Sequence, residues 1–354
     1  MSLAGFSGAV IDCDVHANVP SLETLLPYMA PVWTQWTRER AWKGPLGVAT
    51  VYPPNAPTTA RAEWRPDDGR VPASELALLR EHVLDAGNVE RAIVNCYYGV
   101  DSVRHPDLGN ALASAINDWL IAEWLDKDER LAASLVVPAR DPNAAIREIE
   151  RVGDHPGFVQ VLLPVRSDRL YGSRIWHPMY AAMAARGLVA GIHWGGTPEG
   201  APSPSGWPSW YAEEYAAEWQ VYMAQLTSLI AEGTFQAVPE LRVSFLESGF
   251  TWVPIWGWRM NKEWKGLRRE VPWIDRPPLD IVRDHMRFSI APTHGGSADD
   301  LATVLRWLGT DELLLYATDY PHLHDDDLSA LLASLDEDGR ERLMAGNARA
   351  WYRL

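Results

Sequence analysis

The chain of 354 residues contains little cysteine, no excess of positive charge and no long hydrophobic run. Cys13 and Cys96 are its two cysteines, which argues against a disulfide framework. The formal net charge of −15 argues against nucleic acid or an anionic membrane as a partner, because both require a basic surface. No window approaches the roughly 18 uncharged apolar residues of a membrane span.

The first residues also lack the basic segment and the apolar run of a signal peptide, so we expect a cytoplasmic protein. A hydrophobic content of 47% with 22% charged residues is ordinary for a globular chain. The negative net charge does not exclude an anionic small substrate. An arginine or a metal ion can reverse the field inside a pocket.

Tryptophan, in contrast, is abundant: 18 residues, concentrated in 33–42, 194–219 and 252–273. Large indole rings need a hydrogen-bond partner when they are buried. Two interpretations stay open. The rings pack long connections against the core, or they line an aromatic substrate pocket.

Short apolar segments alternate with amphipathic ones along the chain. The predicted strands are 9–15, 91–96, 131–137, 157–163, 188–193, 241–247, 286–290 and 312–318. The predicted helices include 74–86, 108–125, 142–152, 176–186, 298–308 and 327–335, with Asp141 and Ser297 as helix starts. The alternation indicates parallel strands, in a closed (β/α)8 TIM barrel or an open sheet. Eight strands with polar residues at their ends favour the barrel. No G-x-G-x-x-G follows the first strand, which weakens the alternative of a dinucleotide-binding open sheet.

We interpret residues 1–354 as a single domain with three insertions, at 17–73, 194–218 and 261–285. The first two follow strands one and five and read as irregular, Pro-, Gly- or Trp-rich loops. Long loops in compact domains are usually functional, so we expect these segments to cover the catalytic end of the barrel.

The stretch "VIDCDVH" places Asp12, Asp14 and His16 two residues apart on the first predicted strand. Alternate residues of a strand point to the same face, so the three side chains should lie together. Burying two carboxylates with an imidazole is costly unless something pairs with them. A bound cation is the simplest partner.

Other strand ends offer further ligands. His193 ends the fifth strand, Glu247 the sixth, and Asp319 follows the eighth, with His322 and His324 just beyond. Each of these residues alone has an ordinary structural explanation, such as a turn, a cap or an ion pair. Together, Asp14, His16, His193 and Asp319 predict one site for Zn²⁺ or another divalent transition ion.

Four segments carry a resemblance to a known family: "VIDCDVHANVP", "GLVAGIHWGG", "FLESGFTWVPIWGWRMNKEW" and "LLLYATDYPHLHDD". The chain resembles the amidohydrolase superfamily, in the amidohydrolase-related branch that includes aminocarboxymuconate-semialdehyde and hydroxybenzoate-type decarboxylases. The resemblance implies a mononuclear site with Asp14, His16, His193 and Asp319 as ligands, holding Zn²⁺ with Mn²⁺ as the alternative. It also implies a homodimer.

Two positions depart from the family pattern. Asp14 replaces the first histidine of the usual H-x-H, an acidic variant that the resembling decarboxylases also have. Glu247 stands where many members carry a histidine that transfers protons. No lysine stands at the end of the fourth strand, which argues against a carbamate-bridged pair of metal ions.

Asp319 and Glu247 are the candidate proton-transfer residues. By family analogy Asp319 is both ligand and acid or base. Glu247 could act as an acid only with a pKa raised by burial or by a neighbouring carboxylate. The alternative for Glu247 is a structural carboxylate bonded to Arg259 or to backbone amides.

Four further residues are candidates for binding the substrate. Arg259 lies in a segment where the resembling decarboxylases use an arginine near a substrate carboxylate, and guanidinium recognises carboxylate in a bidentate manner. Arg166 is a second candidate, with a surface ion pair as its alternative. His322 is expected to orient Asp319, and His294 to face the same opening.

Three hypotheses for the function follow. The first is a metal-dependent lyase that decarboxylates a small aromatic or unsaturated carboxylic acid. The second is a metal-dependent hydrolase of an amide, lactone or ester in the same fold. The third is a catalytically inactive barrel that binds a partner, supported only by the departures at Asp14 and Glu247.

Overall fold

A computed structural model describes residues 6, 8–45, 60–196, 206–324 and 328–354 of the chain. Its sheet contains eight parallel strands paired in chain order, each with the next. The strands are β1 Val10–His16, β2 Val89–Asn95, β3 Leu131–Val136, β4 Phe158–Pro164, β5 Val189–His193, β6 Val243–Leu246, β7 Met286–Ser289 and β8 Leu314–Leu315. Each overlaps one of the predicted strands.

Backbone hydrogen bonds between β1 and the end of β8 close the sheet. The amide of Cys13 donates to the carbonyl of Tyr316 at 2.9 Å, and that of His16 to the carbonyl of Tyr320 at 2.8 Å. Val15 and Tyr320 form an isolated parallel bridge. The predicted (β/α)8 TIM barrel is therefore confirmed.

The helices lie between and beyond the strands. The α-helices are α1 Leu22–Leu25, α2 Pro31–Glu39, α3 Leu76–Leu79, α4 Pro106–Glu123, α5 Pro142–Val152, α6 His177–Ala185, α7 Tyr211–Ala216, α8 Trp219–Ala231, α9 Thr234–Ala237, α10 Val253–Leu267, α11 Pro278–His285, α12 Ala298–Leu308, α13 Leu328–Ala333, α14 Glu337–Glu341 and α15 Asn347–Tyr352. Asp141 and Ser297 cap α5 and α12 as predicted, accepting backbone N–H groups of the first turn. Both helices have the predicted bounds.

The insertions contain more helix than the sequence suggested. Segment 17–73 includes α2, and 194–218 includes α7. Segment 261–285 includes the end of α10 and all of α11. Parts of the first two insertions, 46–59 and 197–205, fall outside the described residues.

A small hydrophobic cluster fills the barrel near the N-terminal ends of the strands. It joins Trp351 and Tyr352 of α15 to apolar side chains of several strands: Ile11, Cys13, Ile93, Ala132, Val189 and Leu315. Parallel strands covered by helices are buried on both faces, and all seven residues of β1 are buried. The opposite end of the barrel, where the strands finish, is left for polar side chains.

Most tryptophans belong to the core or pack against it, as the first interpretation proposed. Those buried are Trp64, Trp119, Trp124, Trp176, Trp252, Trp256 and Trp351, and those packed at its edge are Trp33, Trp36, Trp42, Trp194, Trp264 and Trp273. Within the described ranges, no helix has the length and apolar content needed to cross a membrane.

Candidate metal centre

The ends of three strands bring four ionisable side chains to one point. Asp14 and His16 come from the end of β1, His193 from the last position of β5, and Asp319 from just beyond β8. All four are buried, and one ligand atom of each lies within 4.8 Å of the others. The structure thus places together the four residues that the sequence pointed to.

Two atoms of this cluster are buried without a hydrogen-bond partner in the described structure. They are Asp14 Oδ2 and His193 Nε2, which lie 3.4 Å apart. His193 Nδ1 lies 2.8 Å from the carbonyl oxygen of Trp194. Because a carbonyl can only accept, Nδ1 carries the proton of a neutral ring and leaves the Nε2 lone pair free.

The electrostatics of the cluster favour a positive charge between these two atoms. Burial opposes protonation of His193, but the Asp14 carboxylate raises the pKa of the ring to about 10. An unpartnered carboxylate oxygen facing a ring nitrogen is costly in a dry interior. Two carboxylates and two imidazoles form a mixed oxygen and nitrogen donor set, which fits a divalent transition ion.

Asp319 is surrounded by three histidines. Its Oδ1 lies 2.8 Å from His16 Nε2, and its Oδ2 lies 3.0 Å from His322 Nδ1 and 2.5 Å from His324 Nε2. Burial would raise the pKa of Asp319. The charge of His322 and the hydrogen bonds from the three rings instead hold that pKa well below its ordinary value. Asp319 is therefore ionised at neutral pH.

His322 lies as predicted, within hydrogen-bond distance of Asp319. His324 is the residue that the sequence analysis noticed but gave no role. Its Nε2 faces Asp319, and its Nδ1 lies 3.1 Å from the hydroxyl of Tyr215 on α7. The spacing D-x-x-H-x-H was the available signal, but it does not say on which side of the loop each ring falls.

Glu247, just after β6, stands beside the cluster. Its carboxyl oxygens lie 3.7 Å from His193 Nδ1 and 3.9 Å from His324 Nε2. Burial, and then the charge of Asp319, raise the pKa of Glu247 to about 8. One ligand atom each of Glu247, Asp319 and His322 also lies within 4.8 Å of the others.

The backbone is left-handed at three residues of this rim. Glu247 has φ 55°, His294 has φ 52° and Asp319 has φ 52°. Residues with a Cβ seldom adopt this conformation, which costs about 1–3 kcal/mol each and is concentrated at functional sites. Two of the three are the predicted proton-transfer residues.

Two expectations from the sequence need correction. Asp12 does not join Asp14 and His16, because the pairing of β1 with β2 shifts register between Asp12 and Val15. Its carboxylate accepts from the amide of Thr318 at 3.0 Å and from the hydroxyl of Thr318 at 2.7 Å. Asp12 therefore ties β1 to the segment after β8.

Arg259 is not brought to the cluster in this chain. It lies on α10 with a side chain 78% exposed, and its Nε is 3.0 Å from Glu263 one turn further on. The proposed bond between Glu247 and Arg259 is therefore absent from the described structure. A role for Arg259 in binding the substrate finds no support within a single chain.

Arg166 follows β4 and lies on the barrel's C-terminal side. It is buried, forms an ion pair with Glu214, and its guanidinium carbon lies 4.4 Å from the centroid of the Trp194 ring. The alternative interpretation placed Arg166 in a surface ion pair, whereas the structure buries it. His294 follows β7, and its Nε2 lies 3.5 Å from Glu218 Oε1.

A chain of buried hydrogen bonds runs from Asp14 through the barrel interior to α15. Asn95 Nδ2 donates to Asp14 Oδ1 at 2.7 Å, and Ser134 Oγ donates to Asn95 Oδ1 at 2.5 Å. Gln160 Nε2 donates to Ser134 Oγ at 2.7 Å, and the hydroxyl of Tyr352 donates to Gln160 Oε1 at 2.9 Å. Each link fixes the orientation of the next, so the Asn95 amide presents its N–H to Asp14.

We expect Asn95→Ala to weaken divalent-ion binding about 10- to 100-fold, because Asp14 loses the hydrogen bond that orients its second oxygen. Competition with a chelator, using Mn²⁺ and Zn²⁺, measures this affinity. Asn18→Ala is the matched control, since Asn18 follows the same strand but donates to the carbonyl of Pro72. Equal affinities for the two variants would show that Asn95 does not position the ligand.

A (β/α)8 barrel with a buried Asp, His, His and Asp cluster at the C-terminal ends of its strands defines the class of metal-dependent enzymes built on this fold. A family model described as amidohydrolase matches residues 11–354. The chain belongs to the amidohydrolase family, and the resemblance recognised in the sequence is confirmed.

Several proteins of known name or structure are similar to this chain. Gamma-resorcylate decarboxylase of Rhodococcus jostii is 23% identical over 303 residues, which cover 78% of this chain and 87% of that protein. An amidohydrolase of Mycobacterium avium subsp. paratuberculosis has a similar structure, with a TM-score of 0.71, 18% identity and coverage of 98% and 100% of the two chains. A dihydroxybenzoic acid decarboxylase of a Polaromonas species, solved with manganese and 2-nitroresorcinol, gives a TM-score of 0.67, 19% identity and coverage of 98% and 97%.

Proposed function

We propose that this enzyme decarboxylates a small aromatic carboxylic acid with the help of one divalent metal ion. The observation that carries the proposal is the convergence of Asp14, His16, His193 and Asp319, with two buried ligand atoms left unpartnered, beside a carboxyl that is neutral below about pH 8. The similarity to gamma-resorcylate decarboxylase supports the reaction class.

The four-residue cluster would hold Zn²⁺ or Mn²⁺ through Asp14, His16, His193 and Asp319. Mixed nitrogen and oxygen donors suit both ions, and the similar Polaromonas decarboxylase was solved with manganese. A bound ion would act as a Lewis acid toward oxygen atoms of the substrate.

Loss of carbon dioxide from an aromatic acid breaks one C–C bond and leaves its electron pair on the ring carbon, which must then gain a proton. Glu247 is the better proton donor of the two candidates, because burial keeps its carboxyl protonated at neutral pH while three histidines keep Asp319 ionised. In this proposal Asp319 holds His16, His322 and His324 in position. Its negative charge outweighs burial and raises the pKa of His322 and His324, whereas burial lowers the pKa of His16 and leaves that ring neutral for the metal ion.

Arg166, rather than Arg259, is the arginine that we place at the substrate. It lies just beyond β4, beside Trp194, and its buried Nε has no hydrogen-bond partner in the described part of the chain. Glu214 already balances its charge. Arg166 would therefore offer an N–H donor to the substrate rather than an unpaired positive charge.

The test is a screen for carbon dioxide release from hydroxybenzoates and muconate-like acids, with metal-supplemented enzyme. Hydrolysis of an amide, lactone or ester panel, run in parallel, addresses the alternative of a hydrolase in the same fold. Release of carbon dioxide from at least one acid, at a rate lost in the Asp319→Asn variant, would support the proposal. Hydrolysis without decarboxylation would replace it with the hydrolase, and neither activity would favour a binding barrel.

The location and the assembly of the protein stay predictions. The sequence predicts a homodimer in the cytoplasm that takes a small carboxylate as its substrate. Light scattering of the purified protein would give its oligomeric state.

A further inference from the structure

One face of the α7–α8 region lies against the C-terminal ends of the strands. Glu214, Glu218, Tyr222 and Gln225 follow one another at helical spacing along it. The polar side chains of three of these residues have partners near the barrel rim. Glu214 pairs with Arg166, the hydroxyl of Tyr222 donates to the carbonyl of Leu246, and Gln225 Nε2 donates to the carbonyl of Val165 at 2.7 Å.

Glu218 is the exception on this face. The residue is 2% exposed, yet neither of its carboxyl oxygens has a hydrogen-bond partner among the described residues. His294 Nε2 lies 3.5 Å from Oε1, within ion-pair distance but without forming a hydrogen bond. Leaving a buried carboxyl without a hydrogen bond costs about 1–3 kcal/mol or more, which suggests that a ligand at the site rim completes it.

A second unpartnered atom belongs to the same region. Arg166 Nε is also buried without a partner among these residues, although the other end of the guanidinium pairs with Glu214. Glu214, the ion-pair partner of Arg166, precedes Glu218 by four residues, about one helical turn, and the charge of Arg166 acts on the Glu218 carboxyl. One unpartnered N–H donor and one unpartnered carboxyl therefore occur near each other beside the proposed metal centre.

We propose that Glu218 and Arg166 form a polar subsite that binds a hydroxyl group on the ring of the substrate. The inference rests on the proposed function and assigns Glu218 and Arg166 as the residues that determine specificity for a ring hydroxyl. A hydroxyl can accept from Arg166 Nε–H or from the Glu218 carboxyl and can donate to a Glu218 oxygen, so it satisfies groups that the chain leaves unpaired.

The charges around the subsite favour a neutral substituent. Burial, followed by the charge of Glu247, raises the pKa of Glu218 to about 9, while Arg166 opposes the shift and Asp319 adds to it. Glu218 is thus neutral at pH 7, and Glu214 balances Arg166. A second carboxylate would meet a guanidinium already paired with Glu214, and an ammonium group would meet a carboxyl that carries a proton.

Binding without turnover tests the subsite. Calorimetry with Mn²⁺-loaded enzyme would compare benzoate with 2-, 3- and 4-hydroxybenzoate. We expect at least one isomer to bind the wild type about tenfold or more tightly than benzoate, since sites built to bond a hydroxyl discriminate against its absence. In Glu218→Ala this advantage should fall to within about twofold, with the affinity for benzoate unchanged.

Two further variants make the result specific. Glu218→Gln keeps the shape of the side chain and should lose several-fold of the advantage while retaining the affinity for benzoate. If the Glu218→Ala protein does not fold, the comparison of Glu218→Gln with the wild type provides the test. Glu232→Gln is the matched control, because Glu232 ends the same helix on the surface, paired with Arg174, and should change neither affinity.

Three outcomes would overturn the subsite. They are a wild type with no preference for any isomer, an advantage that survives in the folded Glu218 variants, and an equal loss of affinity for benzoate and hydroxybenzoate. The last would assign Glu218 a structural role. Because no turnover is needed, a hydroxyl preference without carbon dioxide release would refute the decarboxylase alone, and the reverse result would refute the subsite alone.

Discussion

Asp319→Asn is expected to lower kcat about a thousandfold or more. Asp319 lies 2.8, 3.0 and 2.5 Å from nitrogens of His16, His322 and His324. Asparagine is neutral, and its NH₂ group cannot accept a hydrogen bond from any of these rings. The charge that holds the three histidines would be lost together with a proposed metal ligand.

Turnover of an acid found in the carbon dioxide screen, at saturating metal, measures this effect. Asp311→Asn is a suitable control, because Asp311 precedes β8 and pairs with Arg342 rather than with the cluster. An Asp319→Asn enzyme that kept more than a tenth of the wild-type kcat would contradict the proposed role of Asp319.

Glu247→Gln is expected to lower kcat about 100- to 10,000-fold while one metal ion per chain remains bound. Glutamine matches the carboxyl in shape but has no proton to give. The pKa of Glu247 is raised to about 8, so the protonated, active form prevails below that pH. Wild-type kcat should therefore be high at neutral pH and fall as the pH rises through about 8, and the variant should lack this fall.

Rates between pH 6 and pH 10, with metal content determined on the same samples, would show both effects. Glu240→Gln offers a control near the opposite end of β6, where the glutamate is exposed. If Glu247→Gln kept the wild-type kcat and the wild-type pH profile, Glu247 would be a structural carboxylate.

The barrel could be predicted because strand burial and connection rules leave little choice. Apolar segments alternating with amphipathic helices must pair in parallel, and parallel strands end on one side. That topology alone placed His193 and Asp319 beside Asp14 and His16, although 303 residues separate His16 from Asp319. Strand-end position was therefore the informative signal for the candidate site.

Where the structure differs from the sequence predictions, the causes are local and are not visible in the hydrophobic periodicity. A register shift in β1 separates Asp12 from Asp14, and nothing in "VIDCDVH" marks it. Arg259 follows the helical phase of α10, where Val253, Trp256 and Gly257 are buried. At 100° per residue, position 259 lies about 120° from Val253 and about 160° from Gly257 but only about 60° from Trp256, so spacing alone does not place its side chain.

Tertiary contacts between segments far apart in the chain could not be predicted from the sequence. The polar chain from Asn95 to Tyr352 consists of residues that carry no motif and meet only inside the closed barrel. Glu218 lies at the end of a segment that read as a loop, and its position depends on how α7 and α8 pack over the strand ends. Such residues become candidates only when burial and missing partners are known.

Metal content of the purified protein tests the central claim most directly, because everything proposed for the site depends on one shared divalent ion. Elemental analysis after supplementation with Zn²⁺ or Mn²⁺ should give close to one equivalent per chain for the wild type. His193→Ala, which removes the unpartnered Nε2, should reduce it sharply. A wild-type protein that stayed free of metal after supplementation would contradict the claim.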